Sequence, residues 1–237
     1  MHKYFSIFRL AVSLAFLASV SHGQDAKQLA SQYSLNSLDG LELVNGKAEV
    51  VSYRGRRAVH LAPLPDHRTP TDAVLAIVTG RDFKDGTIEV EVAGSRLADS
   101  APDERGFIGI AFRVQSHGLR FENIYLRPAN GRADDQLRRN HSVQYCSEPD
   151  FPWQRLREEN PGQYESYVDI EPGVWTKMKI VVSGTKASLY VNGAPEPCLI
   201  VNDLKLGETH GQIALWAHSS TDGYFSNLTV REAVIRR

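Results

Sequence analysis

Beyond Ser34, apolar and polar positions along the chain recur mainly with a period of two. Thr87-Ile88-Glu89-Val90-Glu91-Val92 alternates strictly, which predicts a strand with one buried and one wet face. Similar runs follow at 107–114, 121–127, 142–146, 175–182, 187–191, 198–201, 212–217 and 224–230, with earlier ones at 41–44, 48–53, 58–61 and 74–78. Between them stand Asn45-Gly46, Asp85-Gly86, Ser183-Gly184, Asn192-Gly193 and Asp222-Gly223, pairs that tolerate positive φ and so close hairpins. About a dozen short strands at this spacing predict an all-β antiparallel sandwich or barrel. One stretch, Pro152 to Glu159, reads as a helix, and Pro161-Gly162 stops it.

The N-terminus follows a different pattern. Lys3 and Arg9 precede an apolar run from Leu10 to Val20, and Ser21-His22-Gly23 supplies small residues at a cleavage site. This is the pattern of a secretory signal peptide over 1–23, its apolar run about half the length a bilayer span needs. The expected mature chain, 24–237, is then a single secreted or periplasmic domain with no membrane insertion. Removing the leader takes Lys3 and Arg9 from the 27 basic residues and nothing from the 28 acidic ones, leaving a net charge of about −3. That balance argues against nucleic acid as a partner. Cys146 and Cys198 are the two cysteines; in an exported chain they either pair or stand as separate buried thiols.

Alternation also sorts side chains by face. Ile108, Ile110, Phe112 and Val114 form one apolar set, Ile124 and Leu126 another, and Ile213, Leu215 and Ala217 a third. Opposite them lie Arg113, then Asn123, Tyr125 and Arg127, then Trp216 and His218; Gln144 and the pair Glu89 and Glu91 are also assigned to wet faces. If one sheet carries all of these, its face combines acids, guanidiniums, amides and an indole. Polar groups of this kind hold sugar hydroxyls, and an aromatic ring covers the apolar C–H face of a pyranose. The expected partner is therefore a carbohydrate. The competing reading is a solvated face with ordinary cross-strand charge pairs.

The segment 121–169 is dense in Arg, Asn, Gln, Tyr and Trp and holds the longest connection, Glu148 to Tyr164. Long loops in compact domains are often functional. Arg138, Arg139, Asn140 and His141 are placed to ring a pocket mouth, with Trp153 and Tyr164 as its walls. Glu89 and Glu91 are the nearest pair to a glycosidase acid and base, since neighbours on one strand face meet the 5–9.5 Å requirement. Asp203 with Lys205 and Glu165 with Asp169 are weaker candidates. His60, His67, His117, His141, His210 and His218 form no HxH or HExxH, so neither a metal site nor another cofactor is expected. A structural Ca²⁺ on loop carbonyls and an Asp is compatible with the chain, without any calcium loop motif.

Several motifs then occur in a familiar order. Asp82-Phe83, Gly86-Thr-Ile-Glu89 and Gly106-Phe-Ile-Gly-Ile-Ala-Phe-Arg113 come first. Trp175-Thr-Lys-Met-Lys-Ile-Val-Val, Ala187-Ser-Leu-Tyr-Val-Asn-Gly193, Gly211-Gln-Ile-Ala-Leu-Trp216 and Tyr224-Phe-Ser-Asn-Leu-Thr-Val follow. From Gly40 to Arg231 the chain resembles the concanavalin A-like lectin/glucanase superfamily. Within it the chain is similar to laminin G-like domains and to the bacterial 3-keto-disaccharide hydrolase (DUF1080-type) domain. The resemblance implies a jelly roll of two sheets with ligand on the concave face of one. Glucanases of this superfamily carry E-x-D-x-x-E or E-x-D-x-E, and Glu89-Val-Glu91-Val-Ala93 departs from both. Three functions follow as expectations: a carbohydrate-binding domain, a glycoside-processing hydrolase, and a laminin G-like protein-interaction module. The first requires a sugar surface without a perturbed carboxyl pair. The second requires a carboxylate beside His218 or Arg113 in a true pocket, and the third a flat apolar patch.

Overall fold

The computed structural model describes residues 30–64 and 72–233. The expected leader and His67 lie outside these residues. Fifteen strands run in chain order: β1 Ala30–Tyr33, β2 Leu41–Val44, β3 Gly46–Tyr53, β4 Arg56–Pro63, β5 Ala73–Phe83, β6 Gly86–Arg96, β7 Ile108–Gln115, β8 Arg120–Leu126, β9 Val143–Glu148, β10 Glu165–Ser166, β11 Thr176–Ser183, β12 Lys186–Val191, β13 Leu199–Val201, β14 Gly211–His218 and β15 Thr221–Glu232. Two short helices, α1 Gln136–Asn140 and α2 Trp153–Glu159, interrupt them. Among the described residues no helix is long and apolar enough to cross a membrane.

The strands form two antiparallel sheets. One has the order β13-β12-β11-β6-β15-β4-β3, with β1 added on β15; the other has the order β10-β9-β8-β7-β14-β5-β2. The all-β sandwich read from the period-two pattern is the observed fold. The periodic sets predicted as apolar meet in one core: Ile88, Val90, Val92, Met178 and Ile180 from the eight-stranded sheet, and Ile108, Ile110, Ile124, Leu126, Ile213 and Leu215 from the seven-stranded sheet. β1 and β10 were not visible as strands, because four and two residues are too few to show a period.

Two assignments change with the topology. Glu89 and Glu91 sit in β6, on the eight-stranded sheet, away from the other candidates. Glu89 pairs with Lys177 at 2.7 Å and with Arg231, and Glu91 pairs with Arg56. The Lys177 hydrogen bond holds the Glu89 carboxyl below the usual range, with Arg231 adding to it. These are structural cross-strand ion pairs, not an acid and base. The expectation failed because alternation assigns a face within a strand but not the sheet to which the strand belongs.

Arg113 is the second correction. β7 carries one residue more than β14 and β8 between its flanking register positions, and Arg113 takes φ +52 at that bulge. The bulge breaks the alternation and turns Arg113 into the end of the sandwich, fully buried. Its guanidinium donates to the carbonyls of Lys84, Gly184 and Gly207 at 2.6–3.1 Å and to Asp85 at 3.2 Å. One side chain thus ties the β5–β6 turn, the β11–β12 turn and the segment before β14. Arg113→Met would strand three carbonyls and a carboxylate, so a loss of about 3–5 kcal/mol is expected. Urea denaturation checks this; an unchanged midpoint would show that the arginine does not hold the three turns.

Candidate functional site

The outer face of the seven-stranded sheet is built from register. One cross-strand row reads Leu75, Trp216, Gly109, Tyr125, Gln144, Glu165. Residues opposite one another in antiparallel strands share a face. Gly109 lies between the two large aromatics, and a Cβ there would come within 2.7 Å of the Tyr125 backbone and Cβ. Without it, the Tyr125 and Trp216 rings stack at 4.8 Å between centroids. In the next row Asn123 lies between Ala111 and Cys146. Asn123 is fully buried, and neither its amide nor the Trp216 indole N–H has a partner among the described residues.

α2 roofs this face. Trp153 opens the helix and Arg157 follows one turn later, so the guanidinium stacks on the indole at 4.5 Å. Arg127 approaches the same indole at 5.5 Å. Below the helix, Glu165 is buried in β10. It accepts from Arg157 Nε at 2.9 Å and from Arg127 Nη1 at 3.1 Å, with His141 Nε2 at 3.5 Å. Arg127 also donates to Gln144 at 3.0 Å and to the Tyr125 hydroxyl at 3.1 Å. Burial alone would push the Glu165 carboxyl up, but the Arg157 hydrogen bond and the charges of Arg127 and Arg157 outweigh it and hold the carboxyl below its ordinary range. His141 is shifted the other way: burial disfavours its charged form, and the two arginines reinforce that against Glu165.

Three neighbouring cavities lie along this face. The first, about 160 Å³, is lined by Tyr125, Trp216, Trp153, Phe107, His218, Glu148 and Asp72, among others. The second, about 360 Å³, shares Phe107 and Trp153 with it and adds Arg105, Arg127, Arg138, Arg157, Asn130 and His141, with Asp103 and Glu104. The third, about 560 Å³, shares His141 and Arg157 with the second and reaches Asn140 and Glu165.

The first cavity holds two perturbed groups. Burial pushes the Glu148 carboxyl up, against a contact from the Cys146 thiol, and so favours the neutral acid. Burial pushes His218 down, against the opposing charges of Glu104 and Asp72, and so favours neutral imidazole. Ser220 Oγ lies 2.7 Å from His218 Nδ1 and donates to Glu104 at 2.9 Å. The Ser220 backbone N–H donates to Nδ1 at 3.2 Å. Nε2 lies on the other side of the ring, 4.0 Å from Asp72 Oδ2. Among the described residues, no three His, Cys, Asp or Glu side chains converge as metal ligands.

The structure therefore gathers Tyr125, Arg127, Trp153, Trp216 and His218 at the cavities, with Gln144 buried behind as an anchor for Arg127 and Asn140 on the third cavity. Arg139 is corrected: its guanidinium donates to the Ala133 carbonyl within its own loop, and the adjacent Arg138 lines the second cavity instead. Tyr164 is no wall; it is buried against Tyr145, and its hydroxyl bonds Asp203 and Lys205. Cys146 and Cys198 are free thiols. Glu148, Arg157 and Asp72 were missed. For Arg157 a signal existed, since Trp153 and Arg157 stand four apart in a predicted helix.

A sandwich with a roofed, aromatic-lined face is the architecture of the concanavalin A-like lectins and glucanases. The profile of the 3-keto-alpha-glucoside-1,2-lyase-like domain matches residues 43–231, and the chain belongs to that family. No curated protein matches the chain. Among solved structures, the carbohydrate binding module CBM66 from Bacillus subtilis is 14% identical, with a TM-score of 0.53 over 81% of this chain and 95% of that one. A Bacillus subtilis protein of unknown function with a galectin-like fold is 13% identical, with a TM-score of 0.56 over 87% and 96%. The Bacillus licheniformis beta-glucanase is 10% identical, with a TM-score of 0.51 over 86% and 98%. At these identities the likeness is one of fold.

Glu165→Gln would leave Arg127 and Arg157 facing each other without a counter-charge, so a loss of about 3–5 kcal/mol is expected. The sign with pH follows from the depressed carboxyl. Its contribution is full above the ordinary value of 4.5 and is lost as pH falls through the lower folded value. Stability measured from pH 7 down to 3 should therefore fall less steeply in Glu165→Gln than in the parent chain. Parallel acid limbs would refute the assignment.

Proposed function

We propose that this is an exported saccharide-recognising protein whose sugar lies on the outer face of the seven-stranded sheet. One observation carries the reading: the Tyr125–Trp216 stack faces a cavity that Trp153 also lines, next to a second cavity rimmed by guanidiniums. Aromatic faces cover sugar C–H surfaces, and the flanking polar groups orient the hydroxyls. The Trp216 N–H, without a partner among the described residues and lining the first cavity, fits the same role. Family membership and the leader-like pattern of 1–23 support it. A roofed groove of this kind favours a saccharide over the protein-interaction reading, which calls for a flat apolar face.

A second observation favours glycoside cleavage on that sugar. Glu148 and His218 line one cavity with opposite shifts, burial favouring the neutral acid in one and the neutral imidazole in the other. A 1,2-elimination beside a 3-ketone needs such a pair. The base takes the C2 proton, which the ketone acidifies; the C1–O bond breaks as C1=C2 forms; and the acid gives its proton to the departing oxygen. His218 suits the base role and Glu148 the acid role, with Asp72 stabilising the imidazolium formed.

Trp216→Ala should weaken saccharide binding at least tenfold by calorimetry. Glu148→Gln and His218→Asn should each lower cleavage of 3-keto-glucosides at least a hundredfold with little change in affinity. A Trp216→Ala protein that binds sugars normally would sink the first reading. Full turnover in either acid–base variant would sink the second.

A further inference from the structure

The second cavity carries more positive charge than its structure uses. Four guanidiniums reach it, from Arg105, Arg127, Arg138 and Arg157. Arg127 and Arg157 share the single carboxylate of Glu165. Glu104 accepts from Ser220, and neither it nor Asp103 forms an ion pair with an arginine. The guanidiniums of Arg105 and Arg138 have no hydrogen-bond or ion-pair partner among the described residues. Arg105 is only partly exposed, and its charged form is disfavoured by burial first and then by the neighbouring charge of Arg138, against the partial opposition of Asp103 and Glu104. Two arginines are thus brought together at one cavity without the close ion pairs that hold Arg132 on Asp169 and Glu171, or Arg155 on Glu159; Asp103 and Glu104 act on Arg105 only at longer range. Burial and the two neighbouring arginines disfavour the charged form of His141, which limits further repulsion there.

We infer that the cavity takes an oxyanion substituent of the saccharide, a uronate carboxylate or a sulfate ester, so that the ligand of this site is an acidic sugar. Planar guanidinium forks match such oxyanions in a bidentate fashion. The geometry connects the two parts of the ligand. Phe107 and Trp153 line both the aromatic and the arginine cavity, and Arg127 lies within 6 Å of both rings. A pyranose on Tyr125 and Trp216 would therefore have a substituent or neighbouring unit within reach of Arg105 and Arg138. The inference rests on the saccharide reading and goes beyond it: the family description names an α-glucoside and no anionic group.

Calorimetry on the full chain with three matched probes tests it: an α-glucoside, the corresponding α-glucuronide and the 6-O-sulfated α-glucoside. At low salt at least one acidic probe should bind at least tenfold more tightly than the neutral one, and the acidic arm that gains affinity identifies the oxyanion. Raising the salt to 0.5 M should shrink the ratio. In R105Q/R138Q the ratio should fall to near one, with an unchanged melting temperature as the control for folding. R105K/R138K, which keeps the charge without the fork, should recover part of it. Equal binding of neutral and acidic probes, or a preference that survives in R105Q/R138Q, would overturn the inference and leave the saccharide reading intact. Binding of no probe would remove both.

Discussion

Glu165 is the point through which the roof, the sheet edge and the floor of the site are joined. A carboxylate with a side chain only 2% exposed would be costly on its own, and here it is shared by two guanidiniums. Each guanidinium belongs to a different part of the molecule: Arg157 to α2, and Arg127 to the end of β8. β10 is two residues long and contributes little pairing of its own. Its charge, more than its ladder, gives it a defined place. Because Arg127 is also held by Gln144 and Tyr125, the position of Glu165 is transmitted to the aromatic floor. Trp153 then lies against both arginines, and the roof closes at a set height above the sheet.

The two sheets divide the work. The eight-stranded sheet spends its polar outer face on cross-strand pairs, with Glu89 and Glu91 each held by a basic residue. The seven-stranded sheet gathers much of its outer polarity around the cavities beneath α2. Arg113 shows how finely the division is drawn. By simple alternation it would share a face with Gly109 and Ala111, yet one extra residue in β7 sends it to the end of the sandwich. There its charge closes turns instead of reaching the groove.

What the chain revealed in advance follows the same physics. Period-two alternation reports which side chains share a face within one strand, so Tyr125 with Arg127, and Trp216 with His218, were read correctly. It carries no information on which strands are neighbours, and Glu89 and Glu91 were placed on the wrong sheet for that reason. It also fails where a bulge changes the phase, as at Arg113. Arg139 and Arg138 could not be told apart, because in a five-residue helix after a loop no period is established. Glu148 gains its interest only from burial, and Asp72, which is exposed, only from the company of His218. Those are long-range properties, and no local pattern announces them.

The order of the cavities gives the site a direction. The aromatic cavity lies at the His218 and Glu148 end, and the arginine cavity lies beyond Phe107 and Trp153. Stacking on Tyr125 and Trp216 tolerates many sugars and many rotations about the ring normal, so it cannot by itself place one carbon against His218. A charged group fixed beyond the shared wall removes that freedom, because an oxyanion held by two planar forks defines both a position and an angle. The electrostatics also keep the two chemistries apart. Guanidiniums near His218 would stabilise its neutral form but would compete for Glu148. Having Arg127 occupied by Glu165, Gln144 and Tyr125 limits that competition. The pairing at Glu165 therefore does more than support the roof: it occupies Arg127 and Arg157, so that Arg105 and Arg138 are the arginines of that cavity without an ion pair among the described residues.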